Sequence, residues 1–157
     1  MRLHFQPITD ANRREAQELR VAHGQESFIE TVEECLEEAE RIKNWRPVGI
    51  YDGKKLVGFA MYGYFFWEYF PIGRLWLDRF LIDKSFQGMG YGREALSALL
   101  SRLSEEYPRS GKIFLSIVQG NQTASSLYEK FGFHFTGEKD INGEDVMVKE
   151  RRRRGGF

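Results

Sequence analysis

A chain of 157 residues with 23 Lys and Arg against 23 Asp and Glu has no formal net charge, so no global field draws it to nucleic acid or an anionic membrane. It is long enough for one substantial core, and no apolar run reaches the length of a membrane span. The single cysteine, Cys35, excludes an internal disulfide, and the opening MRLHFQPITD lacks the apolar core of a secretion signal, so a cytoplasmic protein is expected.

In chain order, RLHFQPI reads as a strand, and Asp10 is placed to cap a helix over ANRREAQELRVA. Thr31 and Glu34 have capping-box spacing, and Val32, Cys35, Leu36 and Ala39 then share one helical face. Cys35 therefore reads as a small core residue, with no positive neighbour to make it a nucleophile. PVGIYD and KLVGFAMYGYFF read as strands joined by a short Gly-Lys turn, and GRLWLDRFLID as a third. Leu96, Leu99, Leu100 and Leu103 mark a helix, and KIFLSIV a buried strand. Asn121 caps a helix whose apolar face is Ala124, Leu127, Tyr128 and Phe131, with Gly132 as its stop. Asn142-Gly143 between FHFTGEKD and EDVMVKE signals a hairpin. The order predicts one α/β (α+β) domain over residues 1–150 with a mixed, mostly antiparallel sheet. The remaining residues 151–157, with their arginine run, read as a disordered basic tail.

The segment QGMGYG, Gln87 to Gly92, lies between a predicted strand and a predicted helix. It is not a Walker loop, because Arg93-Glu94 follows where Lys and Ser or Thr would be needed. Nor is it a dinucleotide fingerprint, since counting from Gly88 the third glycine position is Arg93. Glycines that allow positive φ, ahead of a helix N-terminus, can still converge several backbone N–H groups on one anion. Turn geometry alone is the competing explanation.

A second motif, NQTASSLYEKFGF from Asn121 to Phe133, follows a buried strand. Together with Gln87-x-x-Gly90-x-Gly92 it resembles the GNAT superfamily of acetyl-CoA-dependent N-acetyltransferases, over nearly the whole chain. The runs PVGIYDGKKLVGFAMYG, LWLDRFLIDKSFQGMGYG and NGEDVMVKE are similar to the bacterial spermine/spermidine acetyltransferases. The resemblance implies the GNAT fold, with helices on both faces of the sheet and a splayed strand pair at the acetyl-CoA site.

It also implies roles. The N–H groups of Gln87, Gly88, Met89, Gly90, Tyr91, Gly92 and Arg93 would hold the pyrophosphate of the cofactor, acetyl-CoA. Phe80, Leu81 and Ile82 would pair with its pantetheine arm, and Asn121 and Lys130 would line the far side. Tyr128 would assist the departing sulfur, with plain packing on the apolar face as the alternative. Asp78, on the strand entering that site, is the candidate for substrate contact or proton relay, with an ion pair to a neighbouring charge as the alternative. No covalent nucleophile, metal-ligand spacing or Ser-His-Asp arrangement is legible, and His4, His23 and His134 are scattered.

For the acceptor, a polyamine calls for spaced carboxylates and aromatic walls. The acidic helix with Glu30, Glu33, Glu34, Glu37 and Glu38, and the YGYFFWEYF segment with Trp67, Glu68 and Tyr69, are the two candidates. Glu33, Glu37, Trp67 and Glu68 are the substrate-contact expectations; a solvated helix face and core or dimer aromatics are the alternatives. The short FPIG before GRLWLD departs from the longer acidic connection frequent in the polyamine branch. A small amine, an amino sugar, a protein amino group, or a non-catalytic acetyl-CoA sensor are the other readings. The aromatic strand also allows a homodimer.

Overall fold

The computed structural model describes residues 2–20 and 31–151. The elements run β1 (Leu3–Pro7), α1 (Arg13–Gln17), α2 (Val32–Arg41), β2 (Trp45–Asp52), β3 (Lys55–Phe65), β4 (Arg74–Ile82), α3 (Tyr91–Glu106), β5 (Lys112–Ile117), α4 (Gln122–Lys130), β6 (His134–Lys139) and β7 (Asp145–Glu150). The strands form one sheet in the order β1-β2-β3-β4-β5-β7-β6. Every neighbouring pair is antiparallel except β4 and β5.

Local chemistry explains most boundaries. Thr31 Oγ1 accepts from Glu34 N at 3.1 Å while Glu34 Oε1 accepts from Thr31 N at 2.9 Å, the reciprocal box that starts α2. Asn121 Oδ1 accepts from Ala124 N at 3.2 Å and starts α4; Gly132, at φ 93°, ends the turn that follows.

The first helix differs from expectation. It begins after Asn12, not at Asp10, because Asn12 Oδ1 takes the Thr9 N–H at 2.8 Å and Thr9 Oγ1 takes that of Ala11 at 3.2 Å. Its regular part stops at Gln17, and Val21 and Ala22 of the expected helix lie outside the described residues, as do His23 and Glu30.

Two cores flank the sheet. On one face Ala16, Val32, Cys35 and Leu36 of the first two helices pack against Phe59, Met61 and Leu81. On the other, Leu96, Leu99 and Leu103 of α3 and Tyr128 of α4 pack against Tyr62, Leu75, Leu77 and Met147. Cys35 is fully buried, as its place on the apolar face requires.

Two further differences bear on the site. The β6–β7 connection is a five-residue loop, because Asp140 Oδ1 accepts from both Asn142 N (2.9 Å) and Glu144 N (2.8 Å). Only Gly143 of the Asn-Gly pair has positive φ, so the tight two-residue turn does not form. Arg151, expected in the tail, belongs to the fold. Its N–H reaches Gly111 O at 2.8 Å, extending the β5–β7 ladder, and its guanidinium bonds Ser110 O at 2.7 Å, Ser104 Oγ at 2.8 Å and Tyr107 O. Arg152 to Phe157 lie outside the described residues.

Candidate active site

The site follows from how β4 is paired. Its β3 side is bonded along its length, from Phe65↔Arg74 to Gly58↔Ile82. On the β5 side only Leu75↔Ile113 and Trp76↔Phe114 are in register. Beyond Trp76 the strands part. A bulge sits at the same place: Tyr62 opposes Leu77 and Met61 opposes Arg79, leaving Asp78 as the extra residue. Bulges re-aim side chains, and past this one no strand among the described residues pairs with the β5-facing edge of β4.

A cavity of about 350 Å³ fills the gap. Phe80, Leu81, Ile82 and Asp78 line it from β4, Gln87, Gly88 and Gly92 from the glycine loop, and Asn121 and Tyr128 from the α4 side. The sequence candidates for cofactor and chemistry thus converge for the most part. Met89, Gly90, Tyr91 and Arg93 belong to the same loop but lie outside the lining, and the Tyr91 hydroxyl donates to Asp52 Oδ2 at 2.6 Å instead. Lys130 is exposed at the end of α4, away from the lining.

The loop fits an anion. Gly88 and Gly90 have φ of 79° and 85°, and a Cβ at Gly88, Gly90 or Gly92 would meet nothing within 4 Å. Among the described residues, no acceptor sits on the N–H groups of Gly88 through Arg93. The last three of these belong to the first turn of α3, where the N–H groups have no intrahelical partner and the helix dipole is positive. Gln87 acts differently: its side chain donates to Ile82 O at 3.0 Å and pins the loop to the end of β4.

Tyr128 is buried, its ring edge-on to Phe133 at 5.6 Å. Loss of water pushes its hydroxyl up to about 12, against a smaller opposing effect from the positive charge of Arg79. It is therefore a phenol at any working pH, able to donate a hydrogen bond.

The acceptor expectations fare less evenly. Glu33 accepts from Arg13 Nη2 at 3.0 Å and from the Gln17 amide, and this pairing holds its carboxyl below the usual range. Glu37 is exposed, and neither residue lines the cavity. The Glu34 carboxyl is lowered chiefly by the Thr31 N–H and, to a smaller extent, by the positive charge of Arg79. Trp67 and Glu68 stand at the opposite end of β4 from the glycine loop, in the turn joining β3 to β4, with Trp67 77% exposed. The nine residues of β4 impose that separation.

A larger cavity, about 880 Å³, lies at this opposite end between Tyr69, Arg74, Tyr107 and Phe114. Arg74 is already engaged there, by Glu138 at 2.9 and 3.3 Å and over the Phe114 and Tyr69 rings. The smaller cavity holds Tyr128, Asp78 and part of the glycine loop. Sequence reasoning missed two charged residues in its lining, Arg79 and Glu144. Arg79 carried a signal, as the neighbour of Asp78 at the bulge; Glu144 carried none beyond its place beside a turn.

Residues 9–133 match the acetyltransferase (GNAT) family. The chain belongs to that family. Two curated relatives are each 47% identical over 152 residues, covering 96% of this chain and 99% of theirs. They are a probable spermine N(1)-acetyltransferase of Bacillus subtilis subsp. natto (strain BEST195) and a spermine/spermidine N(1)-acetyltransferase of Bacillus subtilis (strain 168). Among solved structures, the spermidine N-acetyltransferase from Vibrio cholerae in complex with CoA and spermine shares the fold at a TM-score of 0.68, with 21% identity and 96% of both chains covered. The ribosomal-protein-S18-alanine N-acetyltransferase from Escherichia coli gives the same TM-score at 16% identity, covering 99% of this chain and 98% of its own. These two GNAT neighbours are named for unlike acceptors, so the shared fold does not choose the amine.

Proposed function

We propose that this chain is an acetyl-CoA-dependent N-acetyltransferase that transfers the acetyl group directly to a primary amine of a polyamine such as spermidine or spermine. The observation that carries the reading is the 47% identity, over 96% of the chain, to relatives named for that activity. The cavity where Asp78, Tyr128 and the glycine loop meet supports it. One domain spans residues 1–150 in this reading, with Arg151 tied onto it, and the chain acts in the cytoplasm. The exposed Trp67, Phe70 and Ile72 favour a homodimer.

Acetyl-CoA, when bound, supplies an activated acetyl thioester. The loop N–H groups from Gly88 to Arg93 would hold its diphosphate, with the Gln87 side chain steadying the loop. The edge of β4 at Phe80, Leu81 and Ile82 would receive its amide-bearing arm, Asn121 would line that site, and Lys130 would act only from the exposed end of α4. Two demands then fall on side chains. An alkyl amine of pKa ~10.4 is neutral in only about one part in 2,500 at pH 7, a handicap of roughly 4.6 kcal/mol. Asp78, at the bulge, takes that proton through water. The second demand is the negative charge developing on sulfur. With Tyr128 near 12 and a thiol at ~8.5, full proton transfer is uphill by about 5 kcal/mol. Tyr128 therefore acts by a hydrogen bond that strengthens as charge develops.

The test is coenzyme A release from acetyl-CoA with spermidine, spermine, putrescine, lysine and a peptide N-terminus in parallel. Saturable turnover on the polyamines, with the acetylated product identified, is expected. Turnover confined to another amine overturns the acceptor; tight cofactor binding with no turnover on the panel overturns the enzyme.

A further inference from the structure

The cavity that holds Tyr128 also has an acidic residue from an element outside the cofactor-binding motifs. Glu144 enters from the β6–β7 loop and lines the same space as Asp78 and Tyr128. Its position is built. Asp140 Oδ1 holds its N–H at 2.8 Å, and Asp140 N donates to its carbonyl at 2.9 Å, so the backbone on both sides of its Cα is fixed before β7 begins.

Met147 of β7 points into the core under α3 and α4, whereas Val146 and Val148 point the other way, into a small cluster with Phe114 and Trp76. Glu144 lies just outside this ladder, in the loop one residue before β7. Depth separates the two carboxylates. Asp78 lies two residues past the last β4–β5 pair, at the apex of the gap. Glu144 precedes Asp145, the partner of Ile117, near the mouth.

We propose that Glu144 is a specificity-determining residue that binds a second ammonium of the acceptor while the reacting nitrogen lies by Asp78. Two carboxylates at different depths match a substrate with cations spaced along a flexible chain. A monoamine uses the apex alone. This assignment rests on the polyamine reading above and extends it by naming the group that senses the distal charge.

Steady-state kinetics of wild type, Glu144→Gln and Glu144→Asp, with spermine and with hexylamine as acceptors, test it. Loss of a charge-assisted contact predicts that Glu144→Gln lowers kcat/KM for spermine about tenfold to a hundredfold, mainly through KM. The spermine-to-hexylamine preference falls at least tenfold, Glu144→Asp restores part of it, and the KM for acetyl-CoA stays within about twofold of wild type. Equal losses on both amines, or an unchanged preference, overturn the proposal while leaving the polyamine reading intact if wild type turns over spermine. A wild-type enzyme inactive on spermine but active on hexylamine overturns both.

Discussion

At its start, β4 is closed on both sides: Leu75 and Trp76 are in register with Ile113 and Phe114, and Arg74 lies 4.2 Å from the centre of the Phe114 ring while pairing with Glu138. At its end, the same strand keeps β3 but has lost β5, and Asp78, Phe80 and Ile82 line a cavity. One strand thus supplies a rigid end and a receptive end. A complete ladder leaves nothing for a ligand to bond, and the bulge at Asp78 marks where the ladder stops. Past Trp76, no strand among the described residues pairs with this edge of β4, and that is the edge the proposed function gives to the cofactor arm.

The largest effect that would sharpen this contrast is at Tyr128. Tyr128→Phe keeps the ring against Phe133 and removes only the hydroxyl, so turnover falls about a hundredfold or more while acetyl-CoA affinity, measured by titration, changes little. Full turnover in the variant removes Tyr128 from the mechanism. Its acidity gives a second readout. A folded-state value of about 12, above the unfolded ~10, means the neutral phenol is favoured by folding. That contribution is fully present below pH ~10 and is lost as pH rises through 12. Denaturant unfolding at pH 9 and pH 11 is therefore expected to show a steeper alkaline loss in wild type than in Tyr128→Phe. An equal slope would mean that burial does not raise this group.

An intermediate effect separates the two ends through their glycines. Gly73, at φ 79° beside β4's start, has no room: a Cβ there would lie 2.3 Å from Tyr64 Oη, itself bonded to Ile72 O at 2.9 Å. Gly90, at φ 85°, has open space. Both alanine variants incur about 1–2 kcal/mol of left-handed strain. Gly73→Ala adds a clash and lowers Tm by about 5 °C or more, leaving the KM for acetyl-CoA near wild type. Gly90→Ala lowers Tm less and raises that KM about tenfold, because the left-handed backbone that an alanine resists lies in the loop proposed to hold the diphosphate. A Gly73 variant that raised KM as much would erase the distinction between the ends.

Most of this was legible in the residues, for physical reasons that also mark where legibility ended. The apolar series Val32, Cys35, Leu36 and the caps at Thr31 and Asn121 are local, so spacing alone reveals them. The glycine loop is local too. Trp67 and Glu68 fall outside the cavity lining because β4 separates the turn before it from the glycine loop after it, and which end of β4 opens depends on where β5 leaves it, a long-range fact. Asn142-Gly143 suggested a tight turn, but Asp140 competes for the same N–H groups. Glu144 entered the site only through that competition and the β7 register, and Arg79 came near Tyr128 only through the bulge.

The smallest effect is the one that tests how far a motif position can be trusted over a location. Lys130 falls within LYEKFGF at a place the family resemblance assigns to the cofactor, yet it is exposed at the last residue of α4 and outside the cavity lining. A solvent-exposed ammonium beside a diphosphate-bearing ligand acts through water and salt, and such contacts contribute little. Lys130→Ala is thus expected to change the KM for acetyl-CoA by less than about threefold at 0.15 M salt, the difference growing as salt is lowered. A tenfold rise that is insensitive to salt would instead mean that Lys130 makes a direct, desolvated contact, with the end of α4 closing toward the cofactor on binding. The open end of the sheet would then be shaped by its ligand, in contrast to the fixed pairing around Arg74.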